Sequence, residues 1–141
     1  MTCKSTKDNQ PESGHTNSKK FSKNKKGAYM DKTISILGTE YKIIIQSQDE
    51  NEKLKECLGL CEHYSKKIVL SDMKEEEKDV MCVENLEDLK KKILRHEIIH
   101  AFFGESGLRA NSDYAENEEL VDWIAIQAPK IFKAFTEADA I

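Results

Sequence analysis

His96-Glu97-Ile98-Ile99-His100 sets two imidazoles four residues apart with a carboxylate beside the first. On a helix, positions i and i+4 lie one turn apart on the same face, so both rings can converge on one metal ion while Glu97 reaches a water bound to it. The pattern is that of a zinc-hydrolase helix, and zinc is the metal these ligand types favour. A shuffled chain of this composition, with its 4 histidines, would show it roughly 0.013 times, so the rest of the chain decides its weight. The residues around it carry helical signals. Leu86, Leu89, Ile93 and Leu94 form a helical stripe, and Asn85 stands as an N-cap three residues before Asp88. The helix is expected to stop at Gly104, as a left-handed cap, with a turn at Gly107.

Two histidines do not complete a hydrolytic zinc site, which takes three protein ligands and keeps a fourth position for water. No histidine follows His100, and Phe103 and Ser106 stand where the long metzincin motif has its glycine and third histidine. The third ligand must therefore be acidic. A second helix is expected from near Ala115, with Leu120, Val121, Ile124, Ala125 and Ala128 on one face and Pro129 ending or kinking it before Ile131–Phe135 resumes. Within it, Glu118 and Asp122 share a face one turn apart. Glu118 suits a metal ligand, and Asp122 an acceptor for the far ring nitrogen of a ligating histidine. Glu119 points about 100° away and is the weaker candidate. Early acidic residues such as Glu116, Glu118 and Glu119 also favour a helix N-terminus electrostatically, with no metal involved.

Upstream, Thr33–Leu37 and Tyr41–Gln46 flank Gly38-Thr39-Glu40 and read as a hairpin with a three-residue turn. Asp49–Leu60 has Leu54, Cys57, Leu58 and Cys61 at helical spacing and reads as a short helix, weakened by Gly59. Ile68-Val69-Leu70 within Lys67–Ser71 reads as a third strand, a candidate to lie beside the cleft and pair with an extended peptide. The acidic stretch Asp72–Asp79 reads as a solvated connection. These elements amount to an α+β domain: a short, mostly antiparallel sheet packed on the His-Glu-x-x-His helix and on a second helix carrying the glutamate ligand.

The chain's 141 residues and 38% hydrophobic content suit one domain with a modest core. Residues 1–32 carry a charge of about +5 and residues 33–141 about −9. The first segment, rich in Ser, Asn, Lys and Gly, is expected to be a disordered basic tail preceding a domain over residues 33–141. Its only aromatics are Phe21 and Tyr29, and the body is acidic, so nucleic-acid binding is not expected. There is no apolar leader after Met1 and no run of eighteen apolar residues, which predicts a cytoplasmic protein without a membrane span. In that compartment Cys3, Cys57, Cys61 and Cys82 are expected as reduced thiols, packed or idle rather than gathered into a second metal site.

Leu94–Phe102, Glu105–Leu108 and Asn117–Ala125 together resemble a group of phage and prophage proteins described as metallopeptidases, over roughly the last third of the chain. More distantly they are similar to gluzincins, whose Asn-Glu-x-x-x-Asp segment supplies the third zinc ligand. They are also similar to the ImmA/IrrE-type metallopeptidases, whose second helix reads Glu-x-x-Ala-Asn. Both alignments imply a zincin-like fold and Glu118 as ligand. Asp122 stands where the second type has Asn, and the chain has no helix-turn-helix, so no role in regulatory proteolysis is implied. The resulting expectation is a zinc-dependent metallopeptidase, phage or prophage encoded and acting on a peptide or protein in the host cytoplasm. His96, His100 and Glu118 would hold Zn2+ and Glu97 would be the general base. His63, Tyr64, Arg109 and Tyr114 are candidate donors to the oxyanion. The alternative is a phage protein that binds a host or phage partner and keeps zinc as a structural staple without turnover.

Overall fold

A computed structural model describes residues 32–141. Residues 1–31 of the expected tail lie outside the described residues, and Lys32 belongs to the first strand. Strands β1 (Lys32–Ile36), β2 (Thr39–Gln46), β3 (Gly59–Glu62) and β4 (Lys67–Ser71) form one sheet in the order β1-β2-β4-β3. Two of its pairings are antiparallel, and β2 with β4 is parallel. Three α-helices follow: α1 (Leu86–Glu105), the short α2 (Leu108–Asn111) and α3 (Glu118–Glu137). The architecture is α+β. None of these helices is long and apolar enough to cross a membrane.

The sheet's inner face comes from strict alternation. Ile34 and Ile36, Tyr41, Ile43 and Ile45, and Ile68 and Leu70 stand two residues apart along their strands and meet Ile93, Leu94, Ile98 and Ala101 of α1. The β1–β2 hairpin closes through two residues rather than three. Leu37 and Gly38 both take positive φ, 49° and 87°, the mirror-image turn whose twist matches the strands.

Residues 49–60 are not the expected α-helix. Asn51 accepts a hydrogen bond from the Lys53 backbone N–H at 3.2 Å and starts a single 3-10 turn, Glu52–Lys55, which buries Leu54. From Gly59 the chain is extended and pairs with β4. Non-local pairing has overridden a local helical pattern. Strand β4 is present as expected but lies between β2 and β3. Both its edges are occupied, so the peptide-pairing role assigned to Ile68–Leu70 is excluded, and β3 is the open edge on that side.

Asn85 caps α1, its Oδ1 accepting from the Asp88 backbone N–H at 3.1 Å. The helix does not stop at Gly104; it runs to Glu105, and the left-handed residue after it is Gly107, with φ 78°. Nor does the second long helix begin near Ala115. Residues Asp113–Glu116 make one 3-10 turn, and α3 starts after Asn117, whose Oδ1 accepts from the Leu120 backbone N–H at 2.8 Å. Pro129 does not end α3, which continues to Glu137.

Candidate metal centre

The α1 helix carries His96 and His100 on the face turned to α3, both rings half-buried, with centroids 4.8 Å apart. The cap at Asn117 makes Glu118 the first residue of α3 and aims its carboxylate at both rings. Glu118 Oε2 lies 3.0 Å from His96 Nε2, Glu118 Oε1 lies 3.3 Å from His100 Nε2, and the two Nε2 atoms are 3.1 Å apart. Ligands about 2.0–2.1 Å from a tetrahedral zinc sit about 3.3 Å from one another. The two imidazole nitrogens thus already have about the spacing of two corners of such a tetrahedron, and Glu118 faces them with one carboxylate oxygen toward each ring. This group, His96, His100 and Glu118, can hold a metal ion.

Behind the donors, Asp122 Oδ1 lies 3.4 Å from His96 Nδ1 and 2.5 Å from Lys92 Nζ. The Lys92 hydrogen bond is the main cause holding the Asp122 carboxyl below its ordinary range, so it stays an ionised acceptor. With its proton on Nδ1 toward Asp122, His96 presents the Nε2 lone pair to the donor group. Burial pushes the His100 pKa down, which keeps that ring neutral and able to bind a cation.

Glu97 is 7% exposed. Burial first, and the Glu118 carboxylate second, push its pKa up to about 7. Its neighbour is β3. A Cβ on Gly59 would fall 3.1 Å from Glu97 Cγ and Oε1 and 2.6 Å from Ile93 Cγ2, so only glycine lets the edge strand approach the helix this closely. Gly59 thus serves the approach of β3 to α1, a role that a local reading of the sequence does not carry.

Between β3 and the three helices runs a cleft of about 700 Å3, lined by the donor group, Glu97, Cys57, Cys61, His63 and Arg109 among others. Of the four candidate donors, His63 and Arg109 line this cleft. Tyr64 is fully exposed beside an adjoining cavity of about 350 Å3, and Tyr114 packs edge-on against Phe103, 6.3 Å between centroids. Glu119 is exposed and outside the cleft lining, whereas Glu116 faces Arg109, 3.5 Å from its Nε. Cys57 lies between the 3-10 turn and β3, and Cys61 on β3, so neither is on a helix. Burial is the main cause that raises both thiols, Cys61 to about 12, which disfavours the thiolate.

No family model, curated protein or solved structure matches the chain.

Proposed function

We propose that the chain is a zinc-dependent metallopeptidase, with His96, His100 and Glu118 as metal ligands and Glu97 as general base. The observation that carries this reading is the convergence of His96, His100 and Glu118, whose ligand atoms lie within 4.8 Å of one another, with a buried carboxylate beside the first histidine. Zinc held by this group would be a Lewis acid, supplying polarisation of a carbonyl and activation of water. Glu97 accepts a proton at its carboxylate and returns it to the departing amine. Asp122 fixes the His96 tautomer, and Lys92 keeps Asp122 ionised. The open edge of β3 offers backbone groups to an extended peptide in the cleft. The resemblance of the two helices to phage and prophage metallopeptidases supports the same activity and a phage- or prophage-encoded protein of the host cytoplasm.

One observation favours a second reading, the zinc-stapled phage protein that binds a partner without turnover. Trp123, Phe132 and Phe135 are about half exposed or more along α3. Glu97 separates the two readings, since a structural metal site has no use for a buried base beside its first ligand. Bound zinc and cleavage of a broad peptide library should be measured for wild type, Glu97→Gln and Glu118→Ala. Glu97→Gln is expected to keep zinc and lose about 10²–10⁴-fold in turnover, and Glu118→Ala to lose both. Equal zinc content in wild type and Glu118→Ala removes Glu118 from the ligand set. No cleavage by the wild type leaves the partner-binding reading standing.

A further inference from the structure

The donor group and Glu97 occupy only part of the cleft. Toward the C-terminal end of α1 its wall is His63, just after β3, Arg109 on α2 and Glu116, and all three continue into the adjoining cavity, where Lys66 pairs with Glu105. His63 is seated firmly: a Cβ on Gly104 would fall 2.2 Å from its Nδ1, so the ring lies against the helix one turn beyond His100. Burial, then the charge of Arg109, hold the His63 pKa below its ordinary value. Arg109 itself is weakly committed. Its Nε is 3.5 Å from Glu116 Oε1, long for a hydrogen bond, and it makes no other ion pair or hydrogen bond among the described residues. The opposite end of the cleft differs. There Leu58, Leu89 and Ile93 are apolar, and Lys92 is neutralised by Asp122.

A planar fork of N–H donors with a loose counter-ion, beside a candidate catalytic metal, is matched by a carboxylate. We infer that the His63–Arg109 end of the cleft is a carboxylate subsite, and that the substrate is a peptide with a carboxylate at this end and an apolar side chain at the Leu58–Leu89 end. The carboxylate is either the peptide's C-terminus or an acidic side chain. The substrate class rests on the metallopeptidase reading, but carboxylate binding needs no turnover.

The test is calorimetric titration of the zinc-loaded Glu97→Gln protein with two probe pairs, and of the metal-free protein alongside it. The first pair is N-acetyl-leucyl-alanine as free acid and as amide; the second is the amides of N-acetyl-leucyl-glutamate and N-acetyl-leucyl-glutamine. The carboxylate member of at least one pair should bind about tenfold tighter. Preference in the first pair assigns the subsite to a C-terminus, and preference in the second to a side chain. Arg109→Gln should abolish the preference with zinc content unchanged. Glu116→Gln, which removes the counter-ion, should increase it about threefold and keeps the test decisive should Arg109→Gln fail to fold. No preference in either pair overturns the inference, as does a preference that survives Arg109→Gln, which would put the carboxylate on the metal, or one that Glu116→Gln leaves unchanged. A wild type that cleaves nothing yet keeps the preference overturns the peptidase reading and leaves the subsite. Cleavage without carboxylate preference does the reverse.

Discussion

Glu105 closes α1 with three donors on one carboxylate: Thr39 Oγ1 at 2.9 Å, Tyr41 Oη at 2.7 Å, and Lys66 Nζ. A glutamate in the last turn of a helix faces the negative end of its dipole, so this one needs its partners. The Lys66 bond first, then Tyr41 and Thr39, lower its pKa from 4.5 to about 2. Stabilisation from this depressed carboxyl is complete above its ordinary value and is lost as pH falls from 4.5 toward about 2. In urea titrations of metal-free protein, wild type should exceed Glu105→Gln in stability at pH 7 and the two should converge as pH falls through that window; parallel curves would rule out the linkage. Gly104 gives a second test. Glycine to alanine inside a helix normally stabilises by about 1 kcal/mol, but here the new methyl group strikes the His63 ring. Gly104→Ala should therefore destabilise the wild type by about 1–2 kcal/mol and stabilise a His63→Ala background, a reversal of sign that denaturant midpoints read directly.

Helix α3 survives an internal proline because α1 repairs it. Pro129 has no N–H for the carbonyl of Ala125, and Arg95 Nε donates to that oxygen instead, at 2.6 Å. Arg95→Met should cost about 1–3 kcal/mol against Pro129 and clearly less in a Pro129→Ala background, where the backbone regains the donor. A double-mutant cycle measures the coupling, and additivity would show that Arg95 does not serve this carbonyl. The same pair explains why Pro129 does not end α3: the compensating donor is 30 residues away and invisible to a local reading. Features written within a few residues were legible, namely the Asn85 cap and stripe of α1, the Ile and Tyr alternation of the hairpin, strand β4, and the Asn117–Asp122 segment that brings Glu118 to the histidines. Strand β3 was not. Leu54, Cys57, Leu58 and Cys61 repeat at helical spacing, yet Leu54 is taken by a 3-10 turn, and Gly59–Glu62 is held by its ladder to β4 and its close approach to α1. The stop of α1 was misplaced for a related reason. Gly104 is glycine to admit His63, and the left-handed conformation is taken by Gly107.

Across the molecule, α1 lies between the sheet and α3, and α3 has α1 as its principal support. That seam consists of Val121 and Ala125, both fully buried, the Arg95 bond to the Ala125 carbonyl, the Lys92–Asp122 pair and the three donor side chains. Beyond Pro129 the helix turns Phe132 and Phe135 to solvent, so its second half adds little to the attachment. A metal at His96, His100 and Glu118 would cross-link α1 to α3 at the point where α3 begins, and its binding energy would act on that seam rather than on the sheet. Zinc at about a hundredfold above its Kd should stabilise the fold by about 2.7 kcal/mol, an upward shift in Tm of about 10 °C or more for a domain of this size. Hydrogen exchange should slow along residues 118–129, which ride on the seam, with little change in β1 and β2, which are anchored to α1 through Ile36, Tyr41 and Ile43. In Glu118→Ala both responses should disappear, because the remaining ligands lie on one helix and bridge nothing. An equal zinc-dependent Tm shift in Glu118→Ala would place the ion on α1 alone and detach α3 from the metal centre.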